Sequence, residues 1–183
     1  CEIDKDEVPQ LSRIIISIDP AVTSNTDSDM TGMIVAGIDV NGIAYVLEDH
    51  TDRYTPQQWA SKAIELYRKH MADRIVAEKN QGGDMVRHTL HTEDENVPVK
   101  LVHASRGKMA RAEPVSALYE QGKVKHVRGL NDLEDQMVQW EPLGSTGSPD
   151  RLDAMVWAIT DLSLNGYAKP QLVLAYSNAK GLK

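Results

Sequence analysis

One cysteine, Cys1, is all the chain has in 183 residues. A disulfide framework and a cysteine-ligated zinc site are both excluded within one chain, and such sparse use of cysteine suits a reducing compartment. No apolar run approaches the ~20 residues of a membrane span, so no membrane segment is expected. No signal-peptide pattern opens the chain, and a start at Cys1 instead of Met reads as a fragment of something longer. Excess positive charge is missing too. A net charge of −7 and a pI near 5.3 argue against a protein that captures nucleic acid by its global field. No G-x-x-x-x-G-K-[ST] phosphate loop occurs. Arg106-Gly107-Lys108 is followed by Met109 and has no strand–loop context, so no phosphate-loop ATPase site is expected in this chain.

What is present is ordinary for one soluble domain: 41% hydrophobic and 26% charged residues, with no internal repeats. RIIISID, residues 13–19, reads as a buried strand stopped by Pro20. TGMIVAGIDVNGIAYVLED reads as a hairpin turning at Asn41-Gly42. TPQQWASKAIELYRKHM has helical spacing, with Thr55 as N-cap and Pro56 in the first turn. A strand ending at Glu78, a helix over GGDMVRHTLHTE and a strand over VPVKLVHAS follow. RAEPVSALYEQG suits a helix closed by Gly122, KVKHVR a short strand and LEDQMVQW a helix. EPLGSTGS reads as a loop, and SPDRLDAMVWAITDL as a helix with Ser148 as N-cap and Pro149 at its first position. Alternation of this kind means α/β with a mixed central sheet flanked by helices.

The acids in this pattern carry the chemistry. Asp19 and Glu78 each end a strand, and Asp153 lies in the first turns of the late helix, directly before AMVWAI. Ligands of open α/β sheets gather at the carboxyl ends of strands, and a helix crossing that edge would bring Asp153 to the other two. Converging carboxylates repel and are costly to desolvate, and a divalent cation removes both problems. Oxygen ligands favour Mg²⁺ or Mn²⁺ over zinc, and a pair of such ions is the usual device for phosphodiester hydrolysis. Each acid also has an ordinary alternative: a turn at Asp19-Pro20, a surface acid at Glu78, an ion pair with a base such as Arg151 for Asp153. Asp150, in the first turn of the same helix, is favoured there by the helix dipole.

IDP at 18–20, TG at 31–32, AEKNQGGDMV at 77–86, ASRGKMARAEPVSALYEQGKV at 104–124, LEDQMVQW at 133–140 and SPDRLDAMVWA at 148–158 together resemble the C-terminal nuclease domain of tailed-phage large terminases. The ordered set covers about residues 13–163. The resemblance implies an RNase H-like fold and an endonuclease cutting concatemeric viral DNA at the start and end of packaging, with two divalent cations, Mg²⁺ or Mn²⁺. Carried over by position, Asp19, Glu78 and Asp153 match the metal-binding acids, Asp150 an accessory position and Asp29 a further acid near the metals.

Two acid-free stretches then become candidate phosphate-binding surface: Arg106, Lys108 and Arg111 in one, Lys123, Lys125 and Arg128 in the other. Residues 1–12 are expected to be the remnant of a linker to a motor, 13–165 the nuclease domain and 166–183 a tail. The resemblance also implies double-stranded DNA as substrate, an upstream ATPase domain, portal protein and small terminase subunit as partners, and the bacterial host cytoplasm as the place of action. Another RNase H-like nuclease, a resolvase or transposase core, shares the chemistry; a non-catalytic docking domain with structural acids is the remaining alternative.

Overall fold

The computed structural model describes residues 2–21, 30–79, 84–141 and 148–164. The strands are β1 Glu2–Ile3, β2 Leu11–Asp19, β3 Gly32–Asp39, β4 Ala44–Asp49, β5 Arg74–Glu78, β6 Val99–Val102 and β7 Val124–Val127. They form one sheet in the order β1-β7-β4-β3-β2-β5-β6. Only β3 opposes its neighbours; every other adjacent pair is parallel. The mixed sheet is the one the hairpin implied.

Among the described residues five α-helices flank it: α1 Pro56–Lys69, α2 Asp84–Glu93, α3 Lys108–Glu120, α4 Asn131–Gln139 and α5 Asp150–Ile159, the last continued by a π-helical turn Thr160–Leu164. Alternation along the strands sorts the core into two layers. Ile15, Ile34, Ala36 and Val76 meet α3, α4 and α5 on one face, while Ile16, Ile18, Met33 and Ile75 meet α1 and α2 on the other. Helices on both faces explain why Ile14, Ile15 and Ile16 run together in β2 where a half-exposed strand would alternate. Among the described residues no helix is long and apolar enough to cross a membrane.

Local chemistry sets the ends. At the hairpin, Asp39 Oδ1 accepts from the backbone N–H of Asn41 and of Ile43, each at 2.9 Å. Gly42 takes a φ of 83°, a region that favours glycine. At α1, Thr55 Oγ1 accepts from the Gln58 N–H while Gln58 Oε1 accepts from the Thr55 N–H, a reciprocal cap.

Several elements differ from the sequence reading. No strand was expected before residue 13, yet Glu2–Ile3 pairs with β7 at the sheet edge. The α3 helix starts at Lys108 and encloses Pro114, where the reading placed its start at Arg111. That extra turn puts Lys108 and Arg111 three apart on one helix face. The α5 helix starts one residue late, at Asp150, with Pro149 as its cap residue and no side-chain cap bond. The hydroxyl of Ser148 instead lies 3.4 Å from Lys108 Nζ and accepts from it. Most of the loop after Glu141, the 166–183 tail and Asp29 lie outside the described residues.

The α5 helix positions everything that follows. It lies across β2 and β3, and Leu152 through Ile159 are all buried. Its first turn comes so close to β3 that a Cβ on Gly32 would sit 2.0 Å from the carbonyl oxygen of Asp150. Only glycine permits that approach.

Candidate functional site

Parallel pairing sets the first two acids side by side. Ile18 is in register with Ala77, so Asp19 and Glu78 end adjacent strands at the same edge of the sheet. Gly32 is the antiparallel partner of Asp19, and Gly32 is where the first turn of α5 touches the sheet. Asp150 and Asp153, both buried, are thereby delivered to the strand ends. The three acids expected to meet do so, with Asp150 alongside.

Their electrostatics show how crowded the edge is. The Asp19 carboxyl is pushed up to about 8, first by burial and then by the charges of Glu78, Asp153 and Asp150, with Lys108 opposing. Glu78 Oε2 accepts a 2.8 Å hydrogen bond from Trp157 Nε1, one turn beyond Asp153 on α5. The α3 helix supplies the counter-charges. Lys108 Nζ lies 2.6 Å from Asp153 Oδ2, and Arg111 Nη2 donates to Asp153 Oδ1 at 3.2 Å. Arg111 Nη1 also lies 3.5 Å from Glu78 Oε1, and the guanidinium stacks over the Trp157 ring, 4.7 Å from its centroid.

These contacts leave polar atoms poorly served. Arg111 Nε and Nη1 and Asp153 Oδ2 are buried with no properly directed hydrogen bond, the short Lys108 contact included. Among the described residues, no three acids or histidines stand in position to hold a metal ion as they are. The cations on α3 and the indole of Trp157 take up the carboxylate oxygens instead. The donor set is still that of a hard divalent cation: oxygen only, buried and mutually repelling. The orphaned Asp153 oxygen and the strongly raised Asp19 fit such an ion.

The sequence from residue 16 to residue 162 matches the family model described as the terminase RNaseH-like domain. The chain belongs to this family. Among solved structures, the terminase domain is similar to the large terminase nuclease of thermophilic phage G20c, at 14% identity and a TM-score of 0.62, over 81% of each chain. Further structures of that G20c nuclease carry bound magnesium and bound zinc. It is also similar to the large terminase of thermophilic bacteriophage D6E, at 14% identity and a TM-score of 0.61. That match covers 87% of this chain and 43% of the D6E protein. RuvC of T. thermophilus, solved with a Holliday junction substrate, matches at 15% identity and a TM-score of 0.50, over 83% of this chain and 94% of that one. No curated protein sequence matches the chain. The fold is RNase H-like, as the resemblance implied.

The basic residues singled out in the terminase domain do not form one strip. Arg106 is exposed in the turn before α3, at the edge that holds the acids. Lys108 and Arg111 point into the acid cluster. Lys123 precedes β7, which puts it at the opposite edge, while Lys125 lies within β7 and Arg128 pairs with Asp4 at 3.3 Å. Two contributors escaped the sequence reading. Gly32 was noticed only as part of a TG pair, and Trp157 only as an apolar position of a helix. Spacing does hold a trace of the second, because Asp153 and Trp157 are four apart and share a helix face.

Proposed function

We propose that the domain is a metal-dependent DNA endonuclease that cuts concatemeric viral DNA during genome packaging, with Asp19, Glu78 and Asp153 as its metal-binding acids. The observation that carries this reading is the convergence of those carboxylates with Asp150 at one sheet edge, crowded enough to push Asp19 up to about 8. Asp150 is the accessory acid, tuning the neighbours it repels. When bound there, a pair of Mg²⁺ or Mn²⁺ ions supplies an activated water and stabilises the leaving oxygen. The chain's own residues do the positioning. Trp157 fixes one oxygen of Glu78 by its 2.8 Å hydrogen bond. Gly32 admits the first turn of α5, and the buried body of that helix holds Asp153 at a constant depth. Arg106, exposed at the same edge, would meet a DNA phosphate in this reading.

The relatives support the reading by kind: the G20c protein is titled a large terminase nuclease and has been solved with magnesium. The 43% coverage of the D6E protein leaves room for a separate motor, which the reading assigns to an upstream ATPase domain acting with portal protein and small subunit in the host cytoplasm.

Plasmid cleavage with Mn²⁺, Mg²⁺ or EDTA tests it. Cutting is expected with either metal, none with EDTA, and none from Asp19→Asn or Asp153→Asn. Full activity in either variant would sink the assignment. The similarity to RuvC makes a branched substrate the natural competitor. Preference for a four-way junction over linear duplex would move the reading to a resolvase.

A further inference from the structure

The cations that touch the acid cluster are badly housed for a permanent structural role. Only 10% of the Arg111 side chain is exposed, and the exposure of Asp153 is 6%. A guanidinium has five N–H donors, and burying any without an acceptor is costly. Yet Nε and Nη1 of Arg111 have no acceptor, and its contacts to Glu78 and Asp153 are long, at 3.5 and 3.2 Å. Lys108, 44% exposed, reaches Asp153 at 2.6 Å from outside the cluster without directing a hydrogen bond at that oxygen. The two oxygens of Asp153 and one of Glu78 thus face ammonium and guanidinium groups.

We propose that Arg111 and Lys108 are cationic stand-ins for the metal. They neutralise Glu78 and Asp153 while no divalent cation is bound, and they must release those oxygens before one can bind. The inference rests on the assignment of these acids as metal ligands and adds a built-in competitor for them. Both cations sit on one face of the first turn of α3, so one small movement of that turn withdraws both. As Arg111 leaves, it also leaves the face of Trp157, whose N–H is tied to Glu78. Metal binding is therefore coupled to the position of α3, and by reciprocity anything that draws Arg111 outward, a DNA phosphate included, tightens metal binding.

The prediction separates this role from a purely structural ion pair. Removing a structural brace loosens the site and weakens metal binding, whereas removing a competitor strengthens it. Isothermal titration of Mn²⁺ into the nucleic-acid-free protein should show Arg111→Met binding roughly tenfold tighter than wild type. Lys108→Met, at an exposed first-turn position that tolerates change, should shift affinity the same way by a smaller factor. Arg111→Lys should return it towards the wild-type value. Metal-free Arg111→Met should also melt at a lower temperature and gain more on adding Mn²⁺ than wild type does. Trp157 gives an optical readout: Mg²⁺ should change tryptophan emission in wild type and leave Trp157→Phe unchanged.

Equal or weaker Mn²⁺ binding in both Arg111→Met and Lys108→Met overturns the proposal. So does Mg²⁺ binding that leaves Trp157 emission untouched. Asp19→Asn tells the two ideas apart. If it binds Mn²⁺ as wild type does, the ligand assignment itself has failed; if it loses binding while the α3 variants stay at the wild-type value, only the competition has.

Discussion

One helix carries a buried acid near each end, and the two are treated in opposite ways. Asp161, just past the end of α5, is completely enclosed. Its Oδ2 accepts from Arg74 Nε at 3.1 Å and Nη2 at 2.9 Å, and its Oδ1 from Lys100 Nζ at 2.6 Å. Both oxygens are satisfied by directed bonds, and the three side chains tie α5 to β5 and β6. Asp153, at the beginning of the helix, meets its cations at poorer angles and keeps an orphaned oxygen. Strand β5 repeats the contrast: Arg74 opens it in the complete ion pair, and Glu78 closes it in the incomplete one. The amino ends of the strands are stitched shut, and the carboxyl ends are left with unspent bonding capacity where ligands of such sheets gather. A charge that is fully hydrogen-bonded inside a protein holds parts together; one that is not is available for something else.

The strongest way to break this comparison is to exchange the consequences. Asp161→Asn strands the charges of Arg74 and Lys100, and should cost about 3–5 kcal/mol in urea unfolding. Asp19→Asn should do the reverse, abolishing cleavage with stability in EDTA unchanged or slightly raised. If Asp161→Asn is neutral to stability, the two ends of α5 do not differ as described. Gly32→Ala should be next in size. Its Cβ would meet the Asp150 carbonyl at 2.0 Å, so the first turn of α5 must shift, costing roughly 1–3 kcal/mol and lowering cleavage together.

The pH dependence sharpens the contrast further. The folded carboxyl of Asp19 is raised to about 8 from an ordinary 3.8, so between those values the folded state binds the proton more tightly than the unfolded chain. Stability in EDTA should therefore fall as pH rises from about 4 to about 8, and Asp19→Asn should flatten that slope. Melting temperatures across that range, compared for the two proteins, check it. Smallest should be Arg128→Ala. That arginine is well exposed and pairs only at the rim with Asp4, so stability should change by no more than about 1 kcal/mol. If its salt dependence of DNA binding also matches wild type, the DNA path excludes the β7 edge.

Much of this was legible in the residues, for reasons that are local. Asn41-Gly42 flanked by two apolar runs specifies its own hairpin, and Thr55, Pro56 and Gln58 specify their own helix start. Asp19 and Glu78 could be placed at strand ends because an apolar run stops at each. The misjudged helix starts were local as well, but ambiguous. The α3 helix begins a turn before the expected Arg111 and accommodates Pro114 in its interior. Ser148 looked like a cap until Lys108 took its hydroxyl. Beyond reach was anything joining distant side chains. No periodicity announces that Arg111 lies between Glu78 and Asp153, or that Lys100, inside a stretch free of acids, spends its charge on Asp161. Residues 97–112 contain no acid, yet their cations serve three ends in space: Lys100 in a brace, Lys108 and Arg111 as stand-ins and Arg106 in an exposed turn.

The place of α5 in the chain order has a consequence for synthesis. Asp19 sits in an inner strand of the sheet, and its partners at 150 and 153 leave the ribosome more than a hundred residues after it. Until α5 docks, the face of β2 and β3 carrying Ile15, Ile34 and Ala36 lacks the helix that lies across it, and Asp19 and Glu78 lack their partners Asp150 and Asp153. The four acids are brought together by the same packing event that completes the core, so an unfinished chain carries only part of the cluster.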